Sequence, residues 1–143
     1  MICRGSALAV VFAALPLMAQ AQSTENSPVG LAVELNTIED VEGACRLTFL
    51  VENETGATID SVSFQLVFFD SEGGVAALKV YDFGELPASR PRVRRFVFKE
   101  SNCGMIGHTL INGVSSCVIG GSESDVCADT LTLRSRTDVE LLG

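Results

Sequence analysis

The sequence predicts an all-β protein, an antiparallel sandwich of about seven strands, and three observations carry that expectation. From Val29 onward apolar residues recur with period two and almost nowhere with the helical period. Clusters of Gly, Asn, Asp, Ser and Pro interrupt the apolar runs at short intervals, as turns between strands do. Four cysteines, Cys45, Cys103, Cys117 and Cys127, follow a segment with the features of an export signal, so two disulfides are expected to staple the fold.

In the first strand Leu31, Val33 and Leu35 share one face, and Ala32, Glu34 and Asn36 the other. Cys45, Leu47, Phe49 and Val51 line one side of the second strand, which directs Cys45 inward. Asn53, Glu54, Thr55 and Gly56 form a turn into a long third strand whose core face is Val62, Phe64, Leu66 and Phe68. Asp70 to Gly74 supply the next turn, and a fourth strand runs from residue 75 to about 83. Residues 84–91 contain two prolines, which cannot donate to a sheet ladder, and separate it from a fifth strand at residues 92–99. In that strand Phe96 and Phe98 have the parity of Arg92 and Arg94, so a bulge near Arg94 and Arg95 is expected to switch the face. Residues 106–116 form a sixth strand, Leu131 and Leu133 mark a seventh, and an acidic Gly/Ser loop at 120–125 lies between them. The whole reads as an immunoglobulin- or fibronectin-III-like sandwich.

Residues 1–21 have the parts of a cleaved secretory signal. Arg4 lies in a short basic region, residues 7–17 are an apolar run, and Ala19 and Ala21 precede the cut, so the mature chain is expected to begin at Gln22. The run is too short for a membrane-spanning helix, and no membrane insertion is expected after cleavage. Arg4 stands alone, which favours the general secretory route over a twin-arginine route. Residues 22–28 are polar, end in proline and read as a flexible N-terminus; residues 29–143 read as one domain. The expected location is the periplasm or the exterior, where cysteines oxidise. The formal net charge is −8 over the whole chain, and loss of Arg4 makes the mature chain more acidic still. An acidic surface repels phosphate, so nucleic acid is excluded as a partner. Tryptophan is absent and tyrosine is represented once, which weighs against sugar-binding aromatic platforms.

The run Val51-Glu52-Asn53-Glu54-Thr55-Gly56, then Ile59 and Phe68-Phe69-Asp70-Ser71-Glu72-Gly73, resembles the second to fourth strands of small extracellular sandwich domains of the FxLyD type. Cys45 in Gly-Ala-Cys-Arg, Cys103, and Leu-Ile-Asn-Gly-Val-x-x-Cys are similar to an uncharacterised exported proteobacterial family, labelled Tat pathway signal sequence domain protein. These resemblances imply a sandwich fold and an exported location. They carry no catalytic residues.

No Cys-x-x-Cys pair is present, so structural disulfides are expected rather than a redox centre or zinc knuckle. Cys117 and Cys127 flank the Gly120-Gly121 turn and are expected to pair, which leaves Cys45 for Cys103. His108 is the single histidine, and Ser115 and Ser116 lack a nucleophile-elbow pattern. Glu39, Asp40 and Glu42, and Glu123, Asp125 and Asp129, are acidic loop clusters without calcium-loop spacing. No catalytic residue, resident metal or cofactor is expected. Arg92, Arg94 and Arg95 form a local basic cluster, read as edge protection or as a patch for an anionic partner. Val67 and Phe69 face away from the core; they are a candidate contact surface unless residues 139–142 cover them. The expectation is a non-catalytic binding or structural accessory module with an unidentified protein partner. The alternative is a small metal-handling or hydrolytic protein using His108 with loop carboxylates or cysteines.

Overall fold

The computed structural model describes residues 29–143; the expected signal segment and residues 22–28 lie outside the described residues. Nine strands in two facing sheets make up the fold among the described residues. One sheet has the order β5-β2-β1-β8, built from Arg92–Phe98, Ala44–Glu54, Gly30–Val41 and Leu131–Ser135. The other has the order β4-β3-β6-β7, from Val75–Leu86, Ile59–Asp70, Ile106–Ile119 and Ser122–Glu123, with β9 (Glu140–Leu142) paired to β6. Neighbours are antiparallel except for two parallel pairs, β1 with β8 and β6 with β9.

Alternation places the core. Leu31, Val33, Leu35, Leu47, Phe49, Val51, Val62, Phe64, Leu66 and Phe68 are buried between the sheets on the faces their parity assigns. Strand β1 is covered on its other face too, at Ala32 and Glu34, because it lies inside its sheet between β2 and β8. Its start requires glycine. Gly30 has φ +94°, and a Cβ there would lie 2.5 Å from Cβ of Thr130, which precedes β8.

Two disulfides fasten the sandwich with the expected connectivity. Cys45 of β2 joins Cys103, in a single 3₁₀ turn (Cys103–Met105), and the Asp40 carboxylate accepts the Cys103 N–H at 2.7 Å. Cys117 of β6 joins Cys127 in the short helix α1, Val126–Asp129.

Four features differ from the sequence reading, the first being that the sandwich is not wholly antiparallel, since β1 with β8 and β6 with β9 run parallel. The fifth strand has no bulge: its register with β2 is unbroken from Cys45↔Phe98 to Val51↔Arg92, so Arg92 and Arg94 share the inner parity of Phe96 and Phe98. An inward arginine is tolerated because β5 is an edge strand, where a long side chain can carry its charge out past the sheet. The strand count exceeds seven because β7 and β9 span two and three residues, too short for a period-two signal. The loop expected at 120–125 is a tight hairpin through Gly120 and Gly121, followed by α1.

Candidate functional site

The two open sides of the sandwich are built differently. On the β4/β5 side, aromatic rings fill the space between the sheets. Phe83 lies 5.0 Å from Phe64 and 4.9 Å from Phe96, Tyr81 lies 4.5 Å from Phe96, and Phe68 stacks on Phe98 at 4.1 Å. Burial, with the nearby Glu100 carboxylate, pushes the Tyr81 hydroxyl up to about 12. Polar clasps cross the same side. The Arg94 guanidinium donates through Nε to the Phe83 carbonyl at 2.5 Å and through Nη2 to the Glu85 carbonyl at 2.8 Å, and Lys79 pairs with Glu100.

Arg94 therefore does more than protect an edge. It satisfies two outward carbonyls of β4 and ties that strand to β5. Arg94→Ser is expected to cost about 1–2 kcal/mol, the range for charge-assisted hydrogen bonds discounted for partial exposure. Arg92 donates only to the adjacent Pro91 carbonyl, so Arg92→Ser should stay within about 0.5 kcal/mol. Chemical denaturation of the two variants checks this contrast.

The outer face of the first sheet holds a second polar construction. Glu34, 7% exposed, receives hydrogen bonds from Asn36 Nδ2 at 2.8 Å and Arg134 Nε at 3.0 Å, while Arg134 Nη2 reaches Glu52 at 2.5 Å. These contacts link β1, β8 and β2. Burial pushes the Glu34 carboxyl up, but the bonds from Asn36 and Arg134 outweigh it and hold the group below its ordinary 4.5. A lowered folded value stabilises the protein above the unfolded value, and this contribution is lost as pH falls through the folded one. Thermal unfolding should therefore show a loss of stability below about pH 4.5, and Glu34→Gln should shrink that acid-side loss.

The β8/β9 side is open. A groove of about 530 Å³ lies there, lined by Leu131, Thr132 and Leu133 of β8, Leu141 and Leu142 of β9, Gly143, and Ala128 of α1. Strand β8 forms one wall with an unpaired edge. The bonds from Leu31 N–H to the Thr130 carbonyl and from Arg136 N–H to the Leu35 carbonyl bracket the β1–β8 ladder and fix its phase. Even-numbered residues of β8 thus turn their backbone groups to β1, and Leu131 and Leu133 turn theirs to the open side. Neither has a backbone partner there among the described residues.

The other sequence candidates are placed as follows. Val67 is 7% exposed, in register with Leu78 on one side and Leu110 on the other, so it is not an exposed contact residue. Phe69 stacks on His108 at 4.3 Å, which gives that histidine a packing role on the outer face. Residues 139–142 do not lie over Val67 and Phe69: they run beside β6, and Val139 and Leu141 enter the core. Exposed apolar side chains on that face come instead from Val75, Leu78 and Val80 of β4. Arg95 is exposed and faces outward. Three carboxylates expected in loops lie in strands and have structural partners: Glu39 of β1 pairs with Arg46, Asp40 of β1 holds the Cys103 N–H, and Glu123 of β7 accepts from the Cys117 N–H. The four cysteines of the described residues are bonded in pairs and offer no thiolate. No group of three or more His, Cys, Asp or Glu converges for a metal among the described residues. Sequence reasoning missed the groove; its only signal was alternation at Leu131 and Leu133 and again at the C-terminal leucines.

No family model matches the chain, and no curated protein matches it. Among solved structures it is similar to IrmA from Escherichia coli, with 8% identity, a TM-score of 0.56, and coverage of 73% of this chain and 90% of that one. At that identity the likeness concerns the fold. It supports a two-sheet all-β architecture.

Proposed function

We propose that the protein is a non-catalytic binding or accessory module of an oxidising, extracytoplasmic space. The observation that carries the proposal is the asymmetry of the two sides, one closed by aromatic rings and the Arg94 clasp, the other left as a leucine-lined groove beside an unpaired strand edge. A concave surface that combines apolar side chains with convergent backbone polar groups is the usual setting of a recognition site. The two disulfides are consistent with the location, and so is the export signal expected in residues 1–21. In detail the fold reads as immunoglobulin- or fibronectin-III-like. The first, second and fifth strands share one sheet and the third and sixth the other, the partition of such sandwiches, with the fourth strand beside the third.

Photo-crosslinking tests the function. A crosslinking residue in place of Leu142, at the groove, should capture a partner in extracytoplasmic extract, and one in place of Val80, on the outer face of β4, should not. Capture at Val80 alone contradicts the proposal, as does hydrolytic turnover by the purified protein that His108→Ala abolishes.

A further inference from the structure

We infer that the groove accepts an extended polypeptide segment, apolar at alternate positions and flanked by lysine or arginine, which pairs with β8 as an added strand. The inference rests on the binding-module reading above and names the partner's chemistry.

Three observations lead to it. The free edge of β8 offers N–H and C=O groups at Leu131 and Leu133, and only another extended backbone satisfies such a row in sequence. A five-residue edge matches about 17 Å of extended chain. Four leucines line the groove beside that edge, together with Ala128, Thr132 and Gly143, so an added strand would place every second side chain against Leu131, Leu133, Leu141 and Leu142.

Charge selects among occupants. Asp129 precedes β8, and Asp138 and Glu140 follow it; all three are exposed and none is in an ion pair among the described residues. Arg134 is occupied by Glu34 and Glu52, which leaves Arg136 as the opposing charge on this stretch. Asp129 and Glu140 adjoin the lining residues Ala128 and Leu141, and the chain carries a net charge of −8, so this side attracts a basic-flanked segment and repels a second copy of itself. Residues 22–28, Gln-Ser-Thr-Glu-Asn-Ser-Pro, contain no large apolar side chain with which to fill the groove.

The test is an NMR titration of the disulfide-bonded protein with a short synthetic peptide of alternating valine and threonine between paired lysines. The Leu131 and Leu133 amides should shift and become at least about tenfold more protected from exchange. Binding should weaken with salt and drop at least about tenfold when glutamate replaces the flanking lysines. Leu142→Ser, at a 42% exposed position that folding tolerates, should weaken it several-fold; Leu133→Ser should do so more strongly. Equal binding of the glutamate-flanked peptide overturns the inference. So does protection confined to the β4 edge, or protection of Leu131 and Leu133 that rises with protein concentration in the absence of peptide, which would make a second copy the occupant. A partner that crosslinks at the Leu142 position while the lysine-flanked peptide fails to bind would leave the binding module standing and reject strand addition.

Discussion

Replacing Asn53 by aspartate is expected to destabilise the protein by about 3–4 kcal/mol at neutral pH. Asn53 is 1% exposed. Its Nδ2 donates to the Ala57 carbonyl at 2.8 Å and the Leu86 carbonyl at 2.7 Å; its Oδ1 accepts the Thr55 N–H at 3.1 Å and the Thr55 hydroxyl at 2.7 Å. All four hydrogen-bonding positions of the amide are used. Its own carbonyl also accepts the Ser89 N–H at 2.8 Å, so one residue joins the β2–β3 turn, the end of β4 and the connection to β5. A carboxylate there would set oxygen against two carbonyl oxygens. Burial and that opposition raise the pKa of the new group, so the penalty should diminish as pH falls and the group takes up a proton. Asn53→Ala should cost about 2–4 kcal/mol with little pH dependence, because it orphans the same carbonyls without adding charge. Urea denaturation at several pH values measures both variants. A cost below about 1 kcal/mol for aspartate would mean that water already enters this junction.

Loss of the Cys45–Cys103 bond ranks beside it. The two bonds close loops with sequence separations of 58 and 10, which the chain-entropy relation converts to about 4 and about 2.7 kcal/mol. Cys45→Ser should therefore destabilise more than Cys127→Ser. Burial does not separate the two variants, since Cys45 and Cys127 are both fully buried, so the difference rests on loop length. Paired removal, Cys45→Ser with Cys103→Ser against Cys117→Ser with Cys127→Ser, avoids leaving a lone thiol. Equal losses in the two pairs would show that the reduced chain keeps the ends of the longer loop together.

Strand parity was the most legible part of this sequence. The alternation in Val62, Phe64, Leu66 and Phe68 is enough to assign the core face of β3, since a one-residue slip would move every phenylalanine into water. Cysteine pairing was legible because Cys117 and Cys127 flank a glycine turn. The Asn53-Glu54-Thr55-Gly56 turn was legible as a turn, yet its most consequential bond was not, because the Leu86 carbonyl lies 33 residues away. Arg94 was misread for a related reason. Parity puts it on the core face, which looks like an error unless the strand is known to be an edge with unsatisfied β4 carbonyls within reach. Val67 is buried through its register with Leu78 and Leu110, and cross-strand register is a property of pairs that one strand's pattern does not encode. The groove was illegible on both grounds. Strand β9 is too short to announce itself, and the open edge of β8 follows from its place at the end of a sheet beside β1, a partner about 100 residues earlier in the chain.

Residue-resolved amide exchange in the free, disulfide-bonded protein tests most directly whether one side of the sandwich is closed and the other open. The amides of Leu131 and Leu133 should exchange within the range of surface groups while their neighbours Thr132 and Arg134, bonded to β1, are strongly protected. Slow exchange at Leu131 and Leu133 at every protein concentration would mean that the β8 edge is already paired within the chain, and would contradict the account.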